Sequence, residues 1–419
     1  MYALIDGNCF YASCERLFRP DLRHRPVIVL SNNDGCIVTL TAEAKALGLK
    51  RGTPYFQVKE FAKRHQIAVF SSNYELYGDM SRRLMQTIAS LVPAIEVYSI
   101  DECFADLSGM KDLTALGFQI RSRINRWIGI PACVGIAPTK TLAKYCNHLA
   151  KKVPALHGVL NWNDLTTERK RKALAFCRVG EVWGIGSQLA GRLQKLGIKT
   201  ALDLSVTSEA LLKQCFPINV LQTARELREI KSIEFEVKPP PRQRIVRSRS
   251  FANDVFSYDD LLSAITMHAE EAAKVLREEQ LMASRVGIFI CSNRFKLDTP
   301  GYMAKDVIDL GRYVNDTPSV LKCTERLLKR LYKAGIAYKK AGVVLEDVKP
   351  IKELNRDLFE FEGQKGKRLS ETLDKINRRY GNGTISFSAV WRDSDGWKMR
   401  RQMKSPSYTT RFSDLLRVG

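Results

Sequence analysis

Apolar positions along this chain change period twice, and the changes divide it into three stretches. In the first, Tyr2–Asp6 is a short apolar run that meets the polar break Asp6-Gly7-Asn8, after which Phe10, Cys14 and Leu17 recur at helical spacing. Residues 26–31 (PVIVLS) read as a buried strand before the turn-rich Asn32-Asn33-Asp34-Gly35, and residues 41–48 (TAEAKALG) as a short helix closed by Gly48. A helix over 80–92 carries Met80, Leu84, Ile88 and Leu91, and leads through Pro93 into a single strand-like run over 95–107. A helix over 121–127, a strand over 132–136 and a helix over 139–150 follow. Strands and helices interleaved in this way predict an α/β arrangement over residues 1–165.

The second stretch, 166–235, has no strand pattern. Its centre is Val182-Trp183-Gly184-Ile185-Gly186, followed by Leu189, Leu193 and Leu196 at helical spacing and by Gly197. Two readings fit that spacing equally. One is a helix-hairpin-helix whose glycine turn lets backbone N–H groups approach a phosphate; the other is an ordinary αα-hairpin. Lys238-Pro239-Pro240-Pro241-Arg242 cannot continue a helix and predicts an extended linker. Beyond it, a strand over 245–251 precedes a helix over 258–280, which starts at Ser257 with Asp260 and carries Leu261, Ile265, Ala269, Ala272 and Leu276 on one face. A strand over 284–291, a helix over 320–333 and a strand over 341–345 complete an α+β domain at 242–348. Residues 349–419 are more polar, with weak periodicity until Trp391, and are expected to be partly disordered in isolation.

Composition narrows the class. A chain of 419 residues exceeds one compact core, and 45% apolar residues provide for several. Its 67 Lys+Arg against 45 Asp+Glu give a formal charge of +22. Such a field favours a polyanionic partner over a small metabolite, although charge alone also fits a basic protein with no nucleic-acid partner. Ten cysteines without a CxxC pair and five dispersed histidines point to reduced thiols and away from a zinc site. The start MYALIDGNCF lacks the character of a signal peptide, and no apolar run approaches membrane-spanning length, so a cytoplasmic protein without a membrane partner is expected.

The candidate chemistry lies in Asp6-Gly7-Asn8 and Tyr98-Ser99-Ile100-Asp101-Glu102. Each segment sets a carboxylate in or at the end of an apolar β-run, where burial is costly unless the group is paired or metal-bound. Oxygen ligands with no Cys or His beside them select Mg²⁺ or Mn²⁺, and two such ions can drive one in-line phosphoryl transfer. Adjacent residues on a regular strand diverge, so Asp101 and Glu102 can share metals only where the backbone bulges or turns. The competing reading, a solvent-exposed edge-strand Asp-Glu with Asp6 as a cap, is opposed by Ile100 and Phe104 around the pair.

The segments IDGNCFYASCE, SNNDGCIV, AEAKALG, SSNYELYGDMS, YSIDECFADLSG, VGIAPTKTLAK and VWGIG, with the tail WKMRRQMKSPSYTTRFSDLLRV, resemble the Y-family, translesion DNA polymerases nearly end to end, in their UmuC-type branch. The resemblance implies a right hand: palm at 1–22 and 77–165, fingers at 23–76, thumb at 166–235, a little-finger domain at 242–348 and a partner-binding C-terminal extension at 349–419. It implies that Asp6, Asp101 and Glu102 are catalytic and hold two Mg²⁺ ions together with the Gly7 carbonyl. Tyr11 falls at the steric-gate position that excludes a ribose 2′-OH, and Phe10 beside the incoming sugar. Thr39, Lys45 and Lys151 fall where the family binds the triphosphate, although Ala42 and Lys45 replace the usual Tyr and Arg, and lysine lacks the bidentate fork. Gly35, Cys36, Ile37 and Val38 match the small residues over the templating base, where roominess admits damaged bases and lowers fidelity.

Gly184 and Gly186 would touch the DNA backbone. Arg242, Arg244, Arg247 and Arg249 read either as a phosphate-contacting stripe or as a solvated basic linker. Asn355–Phe359 (NRDLF) is similar in part to the sliding-clamp motif, while an apolar pair at a domain end explains it as simply. The resemblance further implies primer-template DNA and dNTPs as substrates. Expected partners are a processed UmuD-like dimer, a RecA filament and a sliding clamp, with nucleoid association, in the SOS response. Two rivals differ in what they need. A nucleotide cyclase on the same palm needs no thumb turn, basic second half or gate residue, and a non-catalytic DNA-binding relative could dispense with a carboxylate.

Overall fold

The computed structural model describes residues 1–238, 240–293, 301–354, 364–381, 383–387 and 399–415. Met1–Ser31, Gly35–Pro239 and Met403–Gly419 form one compact unit; Asn32–Asp34 and Pro240–Gln402 form the other. The extension read as one piece over 349–419 is therefore divided between the two.

The first unit begins with β1 (Tyr2–Gly7) and α1 (Phe10–Leu17), then β2 (Val27–Leu30), β3 (Ile37–Leu40), α2 (Ala42–Ala46), α3 (Tyr55–Arg64) and β4 (Ala68–Ser71). Next come α4 (Tyr74–Ala89), β5 (Ala94–Val97), β6 (Glu102–Asp106), α5 (Leu113–Ile128), β7 (Ala132–Ala137), α6 (Lys140–Lys152) and β8 (Val159–Asn161). The helices α7 (Thr167–Phe176), α8 (Ser187–Lys195), α9 (Ala201–Val206), α10 (Glu209–Cys215) and α11 (Ile218–Leu227) follow. A five-stranded sheet runs β5-β6-β1-β7-β8, and a three-stranded sheet runs β3-β2-β4.

The strand predicted over 95–107 is two strands. β5 and β6 pair antiparallel, and residues 98–101 bend between them, with the Tyr98 and Ser99 amides both donating to the Glu102 carbonyl (3.1 and 3.0 Å). The bend contains neither Gly nor Pro, which is why apolar spacing ran through it. Helix α4 begins at Tyr74, six residues before the start predicted from Met80, because the Asn73 side chain accepts from the Leu76 amide at 3.3 Å and supplies the cap. Likewise α5 begins at Leu113 on the Asp112 cap.

Packing of α6 on the sheet sets up the site. A Cβ at Gly135 of β7 would lie 2.1 Å from the Asn147 amide nitrogen and 2.2 Å from the Ala143 carbonyl, so only glycine lets the helix backbone lie this close. Buried Asn147 then ties α6 to both central strands, donating to the carbonyls of Cys133 (2.8 Å) and Leu4 (3.3 Å). The Thr139 side chain caps the helix by accepting from the Leu142 amide.

The second unit has β9 (Arg244–Val255), α12 (Tyr258–Glu278), β10 (Leu281–Ser292), β11 (Met303–Val314), α13 (Thr317–Leu331), β12 (Tyr338–Pro350) and α14 (Gln364–Tyr380). Its sheet order is β11-β10-β12-β9. Ile245, Val286, Ile288, Val343 and Leu345 face α12 and α13 in one buried core. Strand β11 escaped the sequence reading because charged residues interrupt its apolar positions. Helix α14 lies on this unit, with Arg277 forking onto both Asp374 oxygens (2.6 and 3.0 Å), so part of the polar extension is folded. No helix among the described residues is long and apolar enough to cross a membrane.

Candidate active site

Asp6 is the penultimate residue of β1, and its partner across the ladder is Glu102, the first residue of β6. Directly opposed residues project to the same face, so these two carboxylates stand side by side. Asp101 is not on the strand. It lies in the 98–101 bend, and its carbonyl accepts from the Gly7 amide at 2.8 Å, which holds the bend against the end of β1. The turn that convergence of Asp101 and Glu102 demanded is present. Ser99 Oγ orients Asp101 by donating to Oδ1 at 2.6 Å.

Helix α6 presents lysines to the same place. Lys151 Nζ lies 2.6 Å from Asp6 Oδ1, and Lys144 Nζ lies 2.8 and 3.0 Å from the two Glu102 oxygens. One turn earlier, Lys140 pairs with Glu96 at 2.6 Å. Lys144 also sits over the Tyr98 ring at 4.4 Å, and the Trp183 indole donates to the Tyr98 hydroxyl at 3.0 Å. A cavity of about 140 Å³ is lined by Asp6, Glu102, Lys144, His148, Lys151 and Trp183. Burial raises the Asp6 carboxyl above its ordinary range; Lys151 opposes this, while Asp101 and Glu102 push it further up. Mutual repulsion of that kind calls for positive charge. Two ammonium groups now supply it where divalent ions would, and the donors are hard oxygens, so the residues present fit Mg²⁺ or Mn²⁺.

The remaining predicted residues divide. The Tyr11 ring stacks on Tyr77 (4.4 Å, 14°), with Tyr74 edge-on at 6.1 Å. Its hydroxyl is pushed up to about 12, first by burial and then by Tyr74 and Asp101. Phe10 is buried at 2% exposure, with its ring packed close to Gly7. Lys45 Nζ approaches Cys9 Sγ at 3.8 Å, next to the start of α1, and Thr39 is buried on β3. Of Gly35, Cys36, Ile37 and Val38, only Ile37 is fully buried. Strand alternation turns it into the core of the three-stranded sheet.

Gly184 takes φ +86°, and Gly186 forms the N-cap of α8. The arginines do not form one stripe. On β9, Arg247 pairs with Val343 and Arg249 with Ala341, placing both on the helix-covered face, where Arg249 lies 3.9 Å from Glu271 of α12. Arg244 lies on the opposite face, 3.0 Å from Glu346, and Arg242 pairs with Glu279 at 2.9 Å. The segment Asn355–Phe359 lies outside the described residues. Sequence reasoning missed Lys140 and Lys144, whose helical spacing with Lys151 was the available signal. It also missed a grouping of His148, Cys177 and Glu181, whose ligand atoms lie within 4.8 Å of one another. Lys152 stands 2.6 Å from Glu181 and already supplies a cation there.

Residues 5–148 match the impB/mucB/samB family, residues 242–358 that family's C-terminal domain, and residues 367–418 a domain of unknown function. The chain is 42% identical to protein UmuC of Salmonella typhimurium, with 100% of each chain covered. It is 41% identical to protein MucB of Escherichia coli, covering 98% of this chain and 97% of that one. DNA polymerase IV 1 of Bacillus subtilis is 28% identical over 92% of each. Among solved structures, a Y-family DNA polymerase chimera superimposes with a TM-score of 0.67 at 21% identity, covering 83% of this chain and 99% of that one. The insertion ternary complex of Dbh DNA polymerase does so with a TM-score of 0.55 at 21% identity, covering 83% and 99%. These likenesses establish a shared fold, and the full-length identities establish kinship. The chain belongs to the impB/mucB/samB family, the UmuC-type branch of the Y-family DNA polymerases.

Proposed function

We propose that this polymerase extends a primer opposite damaged template by two-metal phosphoryl transfer, with Asp6, Asp101 and Glu102 as its catalytic carboxylates. The observation that carries this reading is the opposition of Asp6 and Glu102 on β1 and β6, with Asp101 drawn to them through its bond to Gly7. Divalent ions held there would supply Lewis-acid activation of a primer hydroxyl and charge neutralisation at the leaving pyrophosphate. The residues of the chain do the rest. The three carboxylates and the Gly7 carbonyl fix where those ions sit. Lys151, Lys45 and Thr39 are donors suited to triphosphate oxygens. Tyr11 lies beneath the sugar and excludes a 2′-hydroxyl. Gly35, Cys36 and Val38 leave room above the templating base, which supports tolerance of lesions.

DNA binding is supported by the open face of the second unit's sheet, which carries Arg244 on β9 and Arg285 on β10, one on either side of Glu346 on β12. Gly184 and Gly186 present a turn to the DNA backbone. We assign the palm to residues 1–22 and 77–165, the fingers to 23–76, the thumb to 166–235 and the little finger to 242–348. Action in the SOS response, at the nucleoid, alongside a UmuD-like dimer, a RecA filament and a sliding clamp, completes the proposal. Primer extension across an abasic site tests it. Asp101→Ala and Glu102→Ala should each abolish extension that the wild type supports, with any accessory proteins supplied equally. Undiminished extension by either variant would sink the metal-site assignment.

A further inference from the structure

From Met403 on, the described tail of the chain belongs to the first unit. Its start pairs with the end of β4: the Ser71 amide donates to the Met403 carbonyl and the Met403 amide to Ser71 Oγ, both at 3.0 Å. Asn73, which is fully buried, donates from Nδ2 to the Ser405 carbonyl and Oγ (both 3.0 Å) and to the Pro406 carbonyl (3.2 Å). Tyr408 stacks on Phe18 at 4.7 Å with 17° between the planes. The tail thus crosses α1 and the start of α4.

Beneath this tail lies a polar relay that the chemistry does not itself use. Ser405 Oγ donates to Glu15 Oε1 at 3.0 Å, and the Tyr77 hydroxyl donates to the same oxygen at 2.5 Å. Glu15 and Tyr77 are both at 0% exposure. Tyr77 is the ring on which Tyr11 stacks at 4.4 Å. Two donors on one buried oxygen fix the hydroxyl end of Tyr77, and a fixed Tyr77 ring fixes the plane of Tyr11. A steric gate discriminates only if its ring cannot yield, because the 2′-hydroxyl it must reject is a single atom.

We propose that Glu15 and Ser405 are positioning residues for sugar selection, so that the C-terminal tail helps to set which nucleotides the enzyme accepts. The proposal rests on the gate reading of Tyr11. Glu15 touches no reacting group; it acts through Tyr77, and Ser405 acts through Glu15.

The test measures kcat/KM for dCTP and for CTP opposite template dG in the full-length chain, with any accessory proteins it needs. Tyr77→Phe removes only the hydroxyl and Ser405→Ala only one donor, so both keep the packing. Each should lower the dCTP/CTP preference, Tyr77→Phe by about tenfold, the scale on which a packed pocket discriminates one small group. The loss should come from faster CTP insertion, with dCTP insertion changed less than about threefold. Glu15→Ala should do the same, and Glu15→Gln, which retains an acceptor, should restore the preference. In Tyr11→Ala, adding Glu15→Ala should change nothing further, because the relay has no gate left to act on. If Tyr11→Ala collapses the preference while Tyr77→Phe and Ser405→Ala leave it intact, the relay is refuted and the gate stands. If Tyr11→Ala leaves the preference intact, gate and relay fall together.

Discussion

Glu15 offers a quantitative check on the packing described above. Its Oε1 accepts from Tyr77 and Ser405, but its Oε2 is buried with no hydrogen-bond partner. Burial is the largest influence and lifts the carboxyl from the usual 4.5 to about 7, against the opposing hydrogen bonds and Arg19. One pKa unit corresponds to about 1.4 kcal/mol, so keeping this group ionised in the folded chain costs about 3 kcal/mol. The sign follows from the raised value. Below pH 4.5 both folded and unfolded chains hold the proton, and there is no penalty. Between 4.5 and 7 the unfolded chain releases it first, so stability falls as pH rises; above 7 the full penalty applies.

Glu15→Gln has the shape of the neutral acid and no titration. It should exceed the wild type by less than about 1 kcal/mol at pH 5 and by up to about 3 kcal/mol at pH 8. The variant-minus-wild-type difference cancels every other titrating group. Urea unfolding of both proteins between pH 5 and 8, followed by tryptophan fluorescence, reads that difference. A difference that stays flat across this range would show that Glu15 keeps an ordinary pKa in the fold, and would refute the account of its burial.

Three further outcomes follow from the contacts already described. Gly135→Ala should destabilise the first unit by about 3 kcal/mol and abolish primer extension, because α6 cannot lie on β7 over a methyl group and Lys144 and Lys151 move with it; an unchanged melting temperature would contradict the contact. Ending the chain after Gln402 should strip buried Asn73 and Ser71 of their tail partners, lowering stability by about 2 kcal/mol or more, measured by thermal melting against the full chain. Chelation should stop extension, Mg²⁺ or Mn²⁺ should restore it, and restoration by Zn²⁺ alone would argue against a site of hard oxygen donors.

Much of the fold was legible because it is written at short range. The apolar face of α12 and its Ser257 cap are decided within a turn or two of chain, and both appear as read, with Ser257 accepting from the Asp260 amide at 3.1 Å. The buried run of β7 and the break after Asp6 are local in the same sense. Where short-range pattern misled, the deciding residue was a cap or a bend: Asn73 and Asp112 start helices ahead of the positions that apolar spacing predicted, and residues 98–101 fold β5 onto β6 without Gly or Pro. The arginines of β9 depend on context in a subtler way. Alternation separates Arg244 from Arg247 and Arg249 in any strand, but only the helices on one side decide which of them is covered.

The chemistry divides along the same line. Residue types alone pointed to Asp6, Asp101 and Glu102 as candidate ligands for a hard metal, since three carboxylates in apolar runs have few other stable uses. That Glu102 opposes Asp6, and that Lys144 and Lys151 neutralise them, depends on strand register and on the close approach at Gly135. The tail is the extreme case. Ser405 meets Glu15 across 390 positions of chain, in a polar stretch with almost no periodicity to announce it. Local pattern encodes how a segment coils, because that depends on neighbours a few residues away. Which segments then share a carboxylate is decided only when the whole unit closes around a buried group that must find partners.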